Sequence, residues 1–394
     1  MKKRIITLVC CAAMATSLLA GCSNNSKPAS ASTSTNANAD KEAADKVAKL
    51  IDAIYVQERT DKTDAQCEEA KKAWDALTDA QKALVEGEEA SPDYFGLDTG
   101  DASKDNPLNQ DNIGKNEILV VSFGTSYNDS RVEDIGSIEK AVQEANPDWS
   151  VRRAFTAQII INHIQARDGE KIDNMDQALE RAVKNNVENL VILPTHLMKG
   201  AEYDEMCDAV KKVESKFKSV KIAEPLLGDV GKDANVINAD KKAVCEAITK
   251  AAVADANYKS LEEAEKDGTA FVYLGHGTSH TAKVSYSQII TQNKKLGYKN
   301  VFLGTVEGEP EETEVNNVIE EVKKAGYKKV VLRPIMVVSG DHANNDMAGD
   351  DEDTWKSLFT ASKAFEKIDC QIAGLGRDKA IQQLYVDHVK KVLK

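Results

Sequence analysis

The sequence predicts an α/β protein of two similar lobes, each a mostly parallel four-stranded sheet flanked by helices, with a small helical module in front. Three observations carry this prediction. From Asn116 to Lys394, about 279 residues, strand-like and helix-like stretches alternate, which is the pattern of right-handed crossovers in a parallel sheet. An internal repeat divides that span: Phe123-Gly124-Thr125-Ser126 matches His276-Gly277-Thr278-Ser279 at an offset of 153, and Pro194 with Gly200 matches Pro334 with Gly340 at an offset of 140. Finally, Phe271 to His280 (FVYLGHGTSH) runs apolar residues straight into a glycine-bracketed histidine. That is a buried strand followed by a tight loop, where open parallel sheets bind their ligands.

The elements follow in order. Expected strands are 118–123, 150–155, 189–194 and 220–224 in a first lobe of residues 116–260. They recur as 270–274, 300–304, 329–333 and 371–375 in a second lobe of residues 261–394, with helical patterns between them. Ahead of the lobes, residues 41–90 read as helical, with Val47, Leu50, Ile51 and Ile54 on one face and Cys67, Ala70, Trp74 and Leu77 on another. Thr78 and Gln81 have capping-box spacing. The phrase AWDALTDAQKALV resembles a small module of bacterial surface proteins, here a spacer or docking element whose own core is marginal at this size. Residues 91–115, with Pro92, Pro107 and several Asp, Asn and Gly, form a connector.

The N-terminus resembles a bacterial lipoprotein signal. Lys2, Lys3 and Arg4 precede a short apolar segment and then Leu19-Ala20-Gly21-Cys22, and the apolar run is too short to span a bilayer. By that resemblance residues 1–22 are the leader and lipobox, and Cys22 is acylated and anchors the mature chain outside the cytoplasm. Residues 23–40, rich in Ser, Ala, Asn and Thr, are expected to be a flexible tether. Loss of the three basic residues takes the formal charge from −13 to −16, which excludes nucleic acid as a partner on electrostatic grounds. Cys67, Cys207, Cys245 and Cys370 lack CxxC spacing and read as buried thiols, although export leaves pairing open.

A lone histidine after an apolar run is more often structural than functional. His276, however, shares its strand-end position with His342, after the strand entering Gly340-Asp341, and with Glu307, after the strand at 300–304. Two imidazoles and a carboxylate at three strand ends of one lobe can hold a divalent metal with positions left open, and the donor set suits cobalt, nickel, iron or zinc. Under the repeat, Glu202 in the first lobe takes the place of His342 in the second, so both are expected to face the cleft between lobes. His280 is read as a cleft wall, His196 as equally a structural or a site residue, and His163 and His388 as solvent or packing residues. The Gly-Thr-Ser turns at Gly124 and Gly277 are neither GxGxxG nor Walker loops, and Asp350 to Asp353 lacks EF-hand spacing.

Together the phrases LVVSFGTSYND, RRAFTAQII, LPTHLMKGAEYDEM, GHGTSH and SGDHANNDMAGDDEDTW resemble the anaerobic sirohydrochlorin cobaltochelatase family of class II chelatases, across Asn116 to Lys394. The resemblance implies a bilobal chelatase fold that inserts cobalt(II) into a tetrapyrrole without ATP and needs no cofactor beyond the substrate metal. It makes His276 a metal-binding proton acceptor, His342 and Glu307 metal ligands, and Glu202 a catalytic carboxylate. The substrate is expected against Ser122, Gly124, Thr125, His196, Thr278 and His280. Arg152, Arg153, Lys199 and Arg333 are candidates to pair its acidic side chains. The first 115 residues depart from the family pattern, which keeps open a haem-, tetrapyrrole- or metal-binding lipoprotein without turnover.

Overall fold

The computed structural model describes residues 32–394, with side chains described from residue 37, so the leader and Cys22 lie outside the described residues. Eight strands form two sheets: β1 (Asn116–Ser122), β2 (Ser150–Phe155), β3 (Asn189–Pro194) and β4 (Ser219–Ile222) in order β2-β1-β3-β4, and β5 (Thr269–Gly275), β6 (Val301–Thr305), β7 (Lys329–Pro334) and β8 (Lys367–Cys370) in order β6-β5-β7-β8. Every pairing is parallel. The second sheet repeats the first strand for strand, and β5 begins and ends 153 residues after β1, as the sequence repeat requires.

The central strands are apolar without alternation because helices cover both faces. Ile118 to Ser122 of β1 and all of β5 are buried. On one side of the first sheet, Leu119, Val121, Leu190 and Ile192 pack with Met175, Leu179, Met206 and Val210 of the helices Met175–Lys184 and Ala201–Val213. Val272, Leu274 and Leu332 do the same in the second sheet with Val318, Val322 and Phe359. Seven strands fall where the sequence places them, within a few residues. The eighth lies at Lys367–Cys370 rather than 371–375, because it is a half-exposed edge strand whose alternating residues carry less apolar signal than the coil that follows.

The remaining faces share one core, and here the lobe boundary at residue 260 is crossed. The helix Ala239–Asp255 covers the second sheet: Thr249 bonds the Tyr273 hydroxyl at 2.9 Å, and Asp255 pairs with Arg333 of β7. The C-terminal helix Lys379–Leu393 returns to the first sheet. There the Tyr385 hydroxyl donates to the Thr195 carbonyl at 2.8 Å, and His388 bonds the Glu224 carbonyl at 3.0 Å.

The module is docked rather than loose. Its helices Ser32–Ile54 and Thr63–Asp75 bury Val47, Ile51, Ile54, Cys67 and Trp74 together with Tyr94 and Phe95. The first helix begins at Ser32, inside the stretch expected to be a tether. Its residues 37–39 are exposed, and the helix is secured by the buried turns that follow, so a composition unable to form a core can still extend one. The whole unit sits on the helix Gln158–Asp168: the Ile54 carbonyl accepts from the Asn162 amide at 2.8 Å, and Tyr94 stacks on His163 at 4.2 Å. All four cysteines among the described residues are free thiols. No described helix is long and apolar enough to cross a membrane.

Candidate active site

The carboxyl ends of β5, β6 and β7 bring His276, Glu307 and His342 to one opening. His276 follows β5 and is exposed, because Gly275 and Gly277 on either side let the chain turn tightly. Gly277 sits at φ +91°, and a Cβ there would lie 2.8 Å from the Glu307 Cβ, so glycine is what lets the two loops touch. The Glu307 amide donates to the His276 carbonyl at 2.9 Å and fixes the loops' register. Beneath them the Tyr286 hydroxyl accepts from the Gly277 amide at 3.1 Å.

The two imidazoles meet edge to face with centroids 4.5 Å apart. His276 spends Nδ1 on the Gly277 carbonyl at 2.8 Å, and His342 spends Nδ1 on Asp346 at 2.6 Å, so each is left with Nε2 for a metal. Burial would push the His342 pKa down, but Asp346, Asp341 and Glu307 outweigh it and hold it above the ordinary value. Asp346 is a site residue that sequence reading missed; its signal was the position four residues after His342, on the π-helical turn Ala343–Met347 that follows β7. Asp341, His342 and Asp346 lie close enough to share a metal ion, with their donor atoms within 4.8 Å of one another.

Glu202 stands across the opening, at the start of the helix Ala201–Val213. Two residues on, Asp204 reaches the His280 Nε2 at 3.4 Å, so this helix end meets the loop that carries His276. Although its side chain is 47% accessible, partial desolvation, with the Glu205 charge beside it, raises the Glu202 pKa to about 6. His196, at the end of β3, is buried, has no hydrogen-bond partner on either ring nitrogen and lies 3.7 Å from Glu202. Burial lowers its pKa to about 4, so it faces the carboxylate as a neutral ring.

The expected substrate contacts divide. Ser122 is buried against the Thr195 hydroxyl at 2.7 Å, and Gly124 and Thr125 are buried in the turn, where the Thr125 hydroxyl accepts from the Tyr127 amide at 3.1 Å. Thr278 accepts from the His280 amide at 3.1 Å and shapes its loop. What the first lobe exposes at this turn is Phe123, 42% accessible, at the repeat position of His276. The cationic candidates are taken by the fold itself. Arg152 is buried on Glu117 and the Ala178 carbonyl, Arg153 on Glu139 and Asp105, and Arg333 on Asp255 and Gln371. Lys199 pairs with Glu224 and Asp229. Position near strand ends alone suggested these residues for substrate carboxylates, but a charge on a covered strand, as at Arg152 and Arg153, must find a buried partner.

Residues 116–394 match the family model for cobalt chelatase (CbiK), which leaves the module and connector outside the match. Over 279 residues the chain is 32% identical to a sirohydrochlorin cobaltochelatase of Salmonella typhimurium, covering 71% of this chain and 97% of that protein. It is 28% identical over 253 residues to sirohydrochlorin cobaltochelatase CbiKC of Nitratidesulfovibrio vulgaris, covering 63% and 80%. Among solved structures, SirB from Bacillus subtilis with Fe3+ matches with a TM-score of 0.49 and 14% identity, over 71% of this chain and 95% of that one. Since the family match runs through both sheets and through every loop or helix start that carries His276, Glu307, His342 and Glu202, the chain belongs to the CbiK cobalt chelatase family.

Proposed function

We propose that the protein is a sirohydrochlorin cobaltochelatase, which inserts cobalt(II) into the ring without ATP and releases two pyrrole protons. The observation that carries this reading is the pair of Nε2 atoms offered by His276 and His342 beside Glu307, with the carboxylate of Glu202 on the facing lobe. The substrate metal is held by few protein donors, so ring nitrogens can replace them one at a time. The two protons leave as the nitrogens bind. His276 and Glu202, on opposite sides of the opening, are the bases that receive them, and a carboxylate with a pKa near 6 is matched to that task at neutral pH.

The reading is tested by mixing catalytic amounts of protein with sirohydrochlorin and cobalt(II) and following the absorption spectrum. Many turnovers per protein are expected, and His276→Ala abolishes them. A spectral change that stops at one equivalent would instead make the protein a tetrapyrrole binder. Nickel, iron and zinc in the same assay define its metal range.

The place of work proposed for this chemistry is the outer side of a membrane, with acylated Cys22 as the anchor; the lipobox-like Leu19 to Cys22 supports it. Cys22→Ser should release the protein from the membrane fraction or leave its leader uncleaved. A variant that matures and fractionates like wild type would rule the anchor out.

A further inference from the structure

The module lies outside the family match, yet its first turn reaches the substrate opening. Between the helices Ser32–Ile54 and Thr63–Asp75 the chain exposes Tyr55, Val56 and Gln57. The Gln57 side chain accepts from the Gln158 amide at 2.9 Å, and the adjoining Ala157 amide donates to the Phe123 carbonyl at 3.2 Å. The turn is thereby tied to the end of β1 at the residue that occupies the position of His276 in the first lobe. Tyr55, Val56 and Phe123 are 38%, 41% and 42% accessible, so three of the large apolar side chains left in water gather at one edge. Opposite them runs the loop that carries His342. A Cβ on Gly340 of that loop would lie 2.9 Å from the Thr125 hydroxyl, two residues after Phe123, and the Ser130 hydroxyl donates to the Ser339 carbonyl at 2.8 Å. The Tyr94–His163 stack and the Asn162–Ile54 bond hold the module in place, so the turn is a fixed feature.

We propose that the turn Tyr55–Gln57 is the outer wall of the substrate cleft, with Tyr55 and Val56 packing beside Phe123 against the ring edge of the bound tetrapyrrole. The proposal rests on the chelatase reading and deepens it, by making the module part of substrate recognition. The chemistry fits: a flat conjugated ring presents apolar faces and edges that gain from burial on aromatic and aliphatic side chains, while its acidic substituents stay in water. Phe123 alone cannot enclose such an edge from one side. The module adds the missing side at little cost in order, because its turn is already held.

The test compares full-length wild type with the double variant Tyr55→Ser, Val56→Ser. Val183→Ser, at an equally exposed apolar position on the helix Met175–Lys184, is the control. Initial rates are measured with sirohydrochlorin and cobalt(II) varied in turn, and sirohydrochlorin binding by fluorescence quenching. The double variant should raise the KM and Kd for sirohydrochlorin by about tenfold, the scale of losing one well-buried apolar side chain. Its KM for cobalt(II) and its kcat should stay within about twofold of wild type, and the control should match wild type. Wild type that binds sirohydrochlorin with an affinity the double variant retains would overturn the wall and leave the chelatase reading standing. Wild type that binds no sirohydrochlorin would overturn both. Unchanged sirohydrochlorin affinity with altered self-association in sedimentation would identify the patch as a contact between copies, and that too overturns the proposal.

Discussion

Asp346 determines which face His342 shows to the opening, since a carboxylate 2.6 Å from Nδ1 selects the tautomer that leaves Nε2 bare. Asp346→Asn keeps the shape and removes that charge, and should weaken cobalt(II) binding by about 10- to 100-fold by calorimetry. Glu202 is expected to matter for rate and not for metal affinity. Glu202→Gln should slow single-turnover insertion by at least about tenfold and leave cobalt(II) titrations unchanged. The sign of its pH dependence follows from its raised pKa: the base form is lost as pH falls through about 6, so the wild-type rate should drop there and the Gln variant should lack that step. Arg153 makes the opposite kind of prediction. It holds Glu139 and Asp105 in a fully buried ion pair, so Arg153→Ala should cost about 3–5 kcal/mol of stability in denaturant titrations, while protein that remains folded keeps its KM for tetrapyrrole.

At the scale of elements, the module and the first lobe meet through the helix Gln158–Asp168, and His163 is a titratable group in that seam, along with Asp64, which accepts from the Gln165 side chain at 2.9 Å. Burial holds its pKa down, at about 3. A histidine depressed in the folded state stabilises above its unfolded value, and the stability is lost as pH falls from about 6.5 toward 3. Thermal melts should therefore decline over that window more steeply for wild type than for His163→Phe, which stacks on Tyr94 without taking up a proton. Equal slopes would mean that the seam does not limit acid stability. The 276–280 loop is a second element with one critical point: Gly277→Ala would force a Cβ into Glu307 at a positive φ. Loss of cobalt(II) binding with little change in melting temperature is the expected outcome.

The whole molecule is two sheets that exchange helices. Ala239–Asp255 precedes the second sheet in sequence and packs on it, and Lys379–Leu393 ends the chain on the first. Neither half can close its core alone. A fragment ending at residue 260 should be insoluble or expose apolar surface to a hydrophobic dye, and coexpression with residues 261–394 should restore a soluble complex. A folded, dye-negative fragment would contradict the exchange. The same arrangement fixes the opening between lobes, because contacts such as Ser130 to Ser339 at 2.8 Å cross from one sheet's loops to the other's.

By itself the sequence determined the parallel sheets, the twofold repeat and the placing of His276, Glu307 and His342 beyond strand ends of one lobe. Each of these is written in local order: apolar runs too long to alternate, glycines where the chain must turn, and phrases repeated at constant offset. Only the tertiary structure decided which charges are free. Arg152, Arg153 and Arg333 look alike from sequence to any residue that binds an acidic ligand, and they become structural because Glu117, Glu139, Asp105 and Asp255 arrive from elsewhere in the chain. Phe123, Tyr55 and Asp346 carry no motif, and their significance lies in what stands beside them. Periodicity reports which side of an element is buried, whereas the partner across a cleft or an ion pair is set by contacts between residues tens to hundreds of positions apart, which no local pattern encodes.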